Sequence, residues 1–475
     1  MDLQMMLKLM HNLEQMRQHE RWTQQQLEAY QTEALRLQRE YAYARSPFYQ
    51  KFHRGLTDRP LMELPVLTKA MMMEYFDDLV TDRAIRLEAV RAYAAKNAED
   101  RQFLDRYWVN ATSGSSGHPG FFLFYRSEWV TVLASFARGH EWSGVRIRLT
   151  HRMKMASVAS ISPWHMSSQV GATVKSLWMP TLRMAASDPL PEIVQRLNAW
   201  QPEVLVSYAS MARILADEQI AGRLHVQPHI IYTSSEVLTD ETRRRIETAW
   251  GHQPFNQYAA TETAEIASEC KGGRRMHLYE DLVIAEVVDE NYHPVPPGVY
   301  GAKVLITTLF SRIQPLIRYE LNDSIQLSTE ACACGLPFGI VESVQGRVED
   351  TLHLPGVAGD RVAVQPLVFN RIMDVTPASG WQVVQEADDG LTVLLSGIHD
   401  GFADETLVDK LTQALIEQRV RIPYVKVQRV PAIPKAVSGK VPLIRSNRSN
   451  EKSGLGEDAG FDGIEAESMN TEWRN

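Results

Sequence analysis

Residues Pro191–Trp250 run PEIVQRLNAWQPEVLVSYASMARILADEQIAGRLHVQPHIIYTSSEVLTDETRRRIETAW. Within them PEIVQRLNAW, SMARILADEQIAG and TDETRRRIETAW space their apolar residues at the helical period, so each buries one face. PEVLVSY and HIIYTS are short β-branched and aromatic runs bounded by turn residues, which is how a covered strand reads. Helix and strand alternate, and that order implies an α/β fold with parallel strands covered by helices.

The alternation extends back to about Arg106. Ahead of it, Leu3–Ala44 is dense in Leu, Met, Gln, Glu and Arg at helical spacing, without glycine or proline, and Ser46-Pro47 stops it. This predicts a helical lead-in over residues 1–47 that packs on the main domain. Beyond the alternation, Leu282–Ile306 changes to shorter strands, VIAEVVD and AKVLITT, around the turn-rich NYHPVPPGVYG, which predicts a β-rich subdomain. After Gly346, short strands and one helix, FADETLVDKLTQALIEQ, predict a small α+β domain. From Ser446 the chain turns to Ser, Asn, Gly and acid, and residues 446–475 are expected to form a disordered acidic tail.

The 475 residues are 44% hydrophobic and 23% charged, the balance of a soluble protein with two or more packed domains. A net charge of −8 excludes a general nucleic-acid binder, whose affinity comes from clustered Lys and Arg on phosphates; Arg243–Arg245 reads as a solvated helix face. The opening MDLQMMLKLMHNLEQM is broken by Asp2, Lys8 and His11 and lacks the apolar core of a signal peptide. No later stretch approaches the roughly 18 apolar residues of a membrane span. A cytoplasmic protein with neither nucleic acid nor membrane as partner is expected. Its three cysteines then suit a metal, or no role, better than a disulfide.

Asn110–Gly120, NATSGSSGHPG, joins the apolar runs RYWV and FFLFY and so reads as a strand-to-strand loop. It fails the phosphate pattern GxxxxGK[ST], and it fails the hydrolase elbow GxSxG because His118 stands at the second glycine. Its amides and hydroxyls suit phosphate oxygens without a fixed charge, although a surface loop with no role has the same composition. YAATETAE from Tyr258 sets a Tyr, a Thr and a Glu within five residues. That is a stacking face for a base, a hydroxyl for phosphate and a carboxylate for Mg²⁺, or else a helix start capped by Thr261 with Glu262 in its first turn. Asp323, closing IRYELND, is an acceptor for a ribose diol or the start of an Asx turn. GRVEDTL at Gly346 marks a turn before the small domain, and PKAVSGK at Pro434 sets Lys440 on a glycine-containing loop.

In this order TSGSSGHPG from Thr112, YAATE from Tyr258, the segment Tyr319–Asp323, GRVED and PKAVSGK resemble the motifs of the adenylate-forming superfamily, which includes acyl-CoA synthetases, luciferases and nonribosomal-peptide adenylation domains. The helical start running into SPFY and the CACG ahead of GRVED look most like phenylacetate-CoA ligases and the related deazaflavin-adenylating synthetases. The resemblance implies a large domain over residues 1–346 with mixed sheets, a hinge at 347–350 and a small mobile α+β domain at 351–445. It implies ATP-dependent activation of a carboxylic acid as its acyl-adenylate, with release of pyrophosphate and transfer to coenzyme A. Transfer to an amine, a hydroxyl or a carrier-protein thiol stays open, as does a homodimer.

The resemblance also assigns roles. The acid's carboxylate attacks the α-phosphorus, so catalysis needs placed donors and cations rather than a covalent nucleophile. By motif position Thr112, Ser113, Gly114, Ser115, Ser116 and Gly117 would hold the β- and γ-phosphates, Thr261 the α-phosphate and Glu262 the Mg²⁺. Tyr258 would lie on adenine, with Ser234, Ser235 and Glu236 as another wall, and Asp323, supported by Arg347, would hold the ribose. Lys440 would stand between carboxylate and phosphate in one pose of the small domain and withdraw in another, with the pivot at Glu349. The chain departs from the family at His118, where Lys is usual, at Ala259, where Gly is usual, and at Glu349, where Asp is usual. Trp164 and His165 of SPWHMSS and Tyr208 of VSYAS would face the acyl pocket and favour a flat aromatic or heteroaromatic acid; core packing is the alternative. Cys270, His277, Cys332 and Cys334 resemble the segments some phenylacetate-CoA ligase relatives use for structural Zn²⁺, a closed Cys₃His set, with buried free thiols as the alternative.

Overall fold

The computed structural model of the protein describes residues 2–96, 102–112, 119–146, 151–174, 176–272, 274–347, 351–364, 366–373, 376–398, 402–435 and 440–447. Three helices open the chain, α1 (Leu3–His19), α2 (Gln24–Arg45) and α3 (Pro47–Phe52), so the lead-in is not one helix. It breaks before Thr23, whose hydroxyl accepts from Gln26 N while the Gln26 side chain accepts from Thr23 N, a capping box that starts α2. Pro47 does not merely stop a helix. It is the first residue of α3, where its missing N–H leaves no bond unmade, and Ser46 caps it. Helices α4 (Lys69–Glu74), α5 (Phe76–Leu79) and α6 (Leu87–Ala95) lead to the antiparallel pair β1 (Tyr107–Ala111) and β2 (Phe121–Tyr125), then to α7 (Arg126–Trp142).

The alternation read from the sequence follows as β3 (Met155–Ala159), α8 (Met166–Thr173), β4 (Thr181–Ala185), α9 (Leu190–Trp200), β5 (Val204–Tyr208), α10 (Ala209–Ile220), β6 (Ile230–Ser234), α11 (Asp240–Trp250) and β7 (Phe255–Ala260). Helix α9 shows the driving force: Ile193, Val194 and Leu197 recur at helical spacing and are buried, each contributing roughly 1.5–3 kcal/mol by leaving water. At β7 the chain doubles back through β8 (Ala264–Glu269) and β9 (Met276–Leu278). A separate three-stranded sheet of β10 (Val283–Val288), β11 (Lys303–Thr308) and β12 (Tyr319–Leu321) forms the expected β-rich part. With β13 (Asp323–Leu327) and β14 (Ile340–Arg347) the main sheet reaches nine strands, ordered β13-β14-β9-β8-β7-β6-β5-β3-β4, parallel from β7 to β4 and antiparallel from β13 to β7.

The carboxyl-terminal part comprises β15 (Leu352–Pro355), β16 (Arg361–Val364), α12 (Pro366–Met373), β17 (Ala378–Gln385), β18 (Leu391–Ile398), α13 (Asp404–Glu417), β19 (Val425–Arg429) and β20 (Ile444–Ser446). It has two helices where the sequence reading gave one, because α12 is only eight residues long and opens on a proline. It also has its own core, built on Leu352, Phe369, Trp381, Leu395 and Leu411. Among the described residues no helix is long and apolar enough to cross a membrane.

The order of three strands positions the site. From β3 the chain crosses to β4 on one side and then to β5 on the other, so the direction of winding reverses between β3 and β5. At such a switch point a crevice opens outside the carboxyl ends of the strands, and open parallel sheets bind their ligands there.

Candidate active site

Tyr208 ends β5, and its Oη accepts from Ser160 N, just past β3, at 2.9 Å. This hydrogen bond pins a buried ring across the switch point. Tyr208, Ser234 and Gln257 are register partners across β5, β6 and β7, so Glu236 and Tyr258 follow along the same edge of the sheet. Lys440 reaches that edge from the carboxyl-terminal part of the chain. Its Nζ lies 5.5 Å from the centre of the Tyr208 ring, within cation–π range. Burial, and then the Lys440 charge, hold the His165 imidazole below its usual pKa, so this ring is neutral at pH 7.

Glu236 completes the seat by joining α10 to the carboxyl-terminal part of the chain. Its carboxylate accepts from Ser210 N of α10 at 2.8 Å and from Val441 N at 3.0 Å. Burial pushes the Glu236 carboxyl up, and those donors, together with the Lys440 charge, oppose the shift. Ser235, ahead of it, takes a φ of +66°, a left-handed bend that non-glycine residues rarely adopt and that turns the chain out of β6. Three further hydrogen bonds link these two parts of the chain. Lys435 Nζ donates to Ala186 O at 2.8 Å, and Ala378 O accepts from Arg213 and, at 3.4 Å, from Arg245.

On the other side of the edge, Tyr258 Oη donates to Asp323 Oδ2 at 2.7 Å, linking β7 to β13. Asp323 is the register partner of Arg347 across β13 and β14. Thr261 and Glu262 sit, partly exposed, in the turn between β7 and β8, so the helix start considered for them is excluded. Pairing of Ala260 with Ala264, which takes a left-handed φ of +70°, closes that hairpin instead. Thr112 N donates to Gly120 O at 3.0 Å and Thr112 Oγ1 accepts from Gly120 N at 2.9 Å, which closes the neck of the glycine-serine loop. Ala111 N donates to Trp164 O at 2.8 Å and so ties that neck to the SPWH segment. Ser113, Gly114, Ser115, Ser116, Gly117 and Glu349 lie outside the described residues, as does the side chain of Arg347.

No family model matches the chain. It is 26% identical over 352 residues to a phenylacetate-coenzyme A ligase of Thermus thermophilus, covering 70% of this chain and 73% of that one. It is 23% identical over 354 residues to a phenylacetate-coenzyme A ligase of Aromatoleum evansii, covering 71% and 74%. A solved structure of 2-hydroxyisobutyryl-CoA ligase, in the postadenylation state with 2-HIB-AMP, superposes with a TM-score of 0.67 at 19% identity over 88% of this chain and 89% of that one. The fold is that of the adenylate-forming ligases, and the sequence is similar to phenylacetate-coenzyme A ligases.

A second cluster of side chains lies at the antiparallel end of the main sheet. Cys270 follows β8, His277 lies on β9, and Cys332 and Cys334 occupy the loop from β13 to β14. Their four donor atoms all lie within 4.8 Å of one another. Cys270 Sγ is 3.6 Å from Cys332 Sγ, and Cys334 Sγ is 3.2 Å from His277 Nε2. Ligands at tetrahedral zinc distances stand roughly 3.3–3.8 Å from one another, so the set fits that ion. Phe338 O, 3.2 Å from His277 Nδ1, holds the ring with Nε2 toward the sulfurs. Gly272 permits the close approach, since a Cβ there would stand 2.8 Å from Cys334 Cβ.

Sequence reasoning missed the partners that join the carboxyl-terminal part to the main sheet. Ser210 N, Val441 N, Ala186 O and Ala378 O are backbone groups, which carry no residue-type signal. Glu236, expected as a pocket wall, is also the residue that gathers two of them.

Proposed function

We propose that the protein uses ATP to activate a carboxylic acid as its acyl-adenylate, releasing pyrophosphate, and passes the acyl group to coenzyme A. One observation carries this reading: an ammonium borne by the small domain, Lys440, lies at the switch-point edge of the large domain against Tyr208, near Glu236 and His165. As the acid's carboxylate attacks the α-phosphorus, charge grows on the phosphoryl oxygens, and a cation spanning acid and phosphate lowers that barrier.

In this reading Thr261 donates to the α-phosphate and Thr112, with residues 113–117, takes the β- and γ-phosphates. Glu262 holds Mg²⁺, which supplies charge neutralisation at the phosphates. Tyr258 lies against adenine and, through its hydrogen bond, orients Asp323 toward the ribose hydroxyls beside Arg347; Ser234 and Ser235 line the same cleft. Trp164, neutral His165 and Tyr208 face the acid and suit a flat aromatic or heteroaromatic body. Residues 347–350 act as the hinge. Among the described residues, the two parts meet through single hydrogen bonds at Arg213, Lys435 and Val441, of the kind that a rotating domain can exchange. Rotation withdraws Lys440, the coenzyme thiolate attacks the acyl carbon, and AMP leaves. Cys270, His277, Cys332 and Cys334 hold a structural Zn²⁺ that takes no part in the reaction, and the enzyme works in the cytoplasm.

The test is acid-dependent ATP–pyrophosphate exchange across a panel of aryl acids, followed by addition of coenzyme A. Exchange with at least one aryl acid, and an acyl-CoA thioester once the thiol is added, are expected. Exchange with none of them contradicts the reading, and exchange without thioester moves the acyl group to another acceptor.

A further inference from the structure

Behind Trp164 the large domain holds a cavity of about 870 Å³, a size that encloses small molecules. Tyr93, Trp108 and Trp164 make it aromatic on one side, and Ile161 and Leu177, 55% and 80% exposed, stand in its lining. The rings are fixed: Trp108 stacks on Trp129 with planes 10° apart, and Tyr93 meets Trp164 edge-on at 5.3 Å. Trp164, in the lining, precedes His165, which lies within reach of the Lys440 charge, and the Trp164 carbonyl accepts from Ala111 N at the neck of the glycine-serine loop.

Arg183 of β4 also lines the cavity. Its Nη2 donates to Ser168 O at 2.9 Å and to Ser168 Oγ at 2.7 Å. Among the described residues no carboxylate pairs with this guanidinium, and its Nε and Nη1 make no hydrogen bond. Burial disfavours the Arg183 charge, a penalty that an anion in the cavity would offset. The neighbouring chain leaves room for it, since a Cβ on Gly171 would stand 3.3 Å from Arg183 Nε. From His165 to Gly171 the backbone of α8 advances about 9 Å, the length of a two-ring aromatic acid.

Resting on the adenylation reading above, we infer that the acid is an elongated, flat aromatic molecule with a second anionic group that pairs with Arg183 at the far end of this cavity. Its ring system stacks along Trp108 and Trp164, and its reacting carboxylate points toward Lys440.

Two probes that differ only in the distal group test this: 2-naphthoate and naphthalene-2,6-dicarboxylate. Each is titrated into the full chain without ATP, read by quenching of tryptophan fluorescence, and each is then assayed in pyrophosphate exchange. The diacid is expected to bind at least about tenfold more tightly than the monoacid, as a charge-assisted hydrogen bond allows. Arg183→Leu should bring that ratio to about one. Arg183→Lys, which keeps the charge and loses the planar fork, should retain part of it, and Gly171→Ala, which displaces the guanidinium, should lower it. Equal binding of the two acids, binding of neither, or a ratio untouched by all three substitutions overturns the inference. The two readings fail separately. Diacid preference without exchange keeps the cavity assignment and removes adenylation, whereas exchange of monoacids without diacid preference does the reverse.

Discussion

Tyr258 and Asp323 lie on strands far apart in the sequence and meet through one hydrogen bond of 2.7 Å. A Tyr258→Phe substitution removes the donor and leaves the ring, so on the proposed reading Asp323 loses its orientation while the ring keeps its place on the base. The Michaelis constant for ATP in pyrophosphate exchange should rise about five- to tenfold with little change in kcat; an unchanged value would detach this pair from the nucleotide. At this scale the sequence shows side-chain chemistry and the structure shows which of those side chains meet. Tyr258, Asp323, Tyr208, Glu236 and Lys440 announce their chemistry by side-chain type, and the structure brings Tyr258 to Asp323 and Lys440 to Tyr208. The contacts of Glu236 were not legible, because its partners Ser210 N and Val441 N are backbone groups that any residue type presents.

The elements carry two further consequences. His53, just past α3, is 4% exposed, and burial first and then the Arg39 charge push its pKa down to about 4. The unfolded imidazole titrates near 6.5, so between about pH 6.5 and 4 the unfolded chain takes up a proton that the folded chain refuses. The stability tied to neutral His53 is therefore full above about pH 6.5 and is lost as the pH falls toward 4, by up to about 3 kcal/mol. His53→Phe should flatten the acid limb of stability, measured as denaturation midpoints at pH 7 and pH 5; an identical slope in both proteins would contradict this. For β8, β9 and the loop before β14, elemental analysis should find about one zinc per chain, and Cys332→Ser should remove it and lower the thermal midpoint by roughly several degrees. Metal-free protein, with the variant equally stable, would leave the cysteines as thiols. Long periodic helices such as α9 could be read from the sequence. The break before Thr23 was readable too, as Thr followed three residues later by Gln, but helical composition on both sides hid it. The eight-residue α12 was not legible, because Pro366 reads as a breaker wherever the first turn cannot be located.

Across the whole molecule, the alternation of helix and strand could be read locally, but the placement of β4 and β5 on opposite sides of β3 could not, since strand order is set by pairings between distant segments. That order creates the crevice, and the carboxyl-terminal part meets the rest of the chain there through Ala378, Lys435, Lys440 and Val441, against Arg213, Arg245, Ala186, Tyr208 and Glu236. Arg213→Ala removes one of these ties, so it should slow pyrophosphate exchange about fivefold or more while transfer from preformed acyl-adenylate to coenzyme A is unaffected; equal slowing of both steps would mean that Arg213 serves the fold and not the pose. The most direct test of the mechanism is pyrophosphate exchange by Lys440→Ala alongside equilibrium ATP binding. Exchange should fall at least about a hundredfold while ATP affinity stays within about threefold of the parent, as loss of a transition-state cation requires. Exchange at the parent rate would show that the small domain brings no catalytic charge to the switch point.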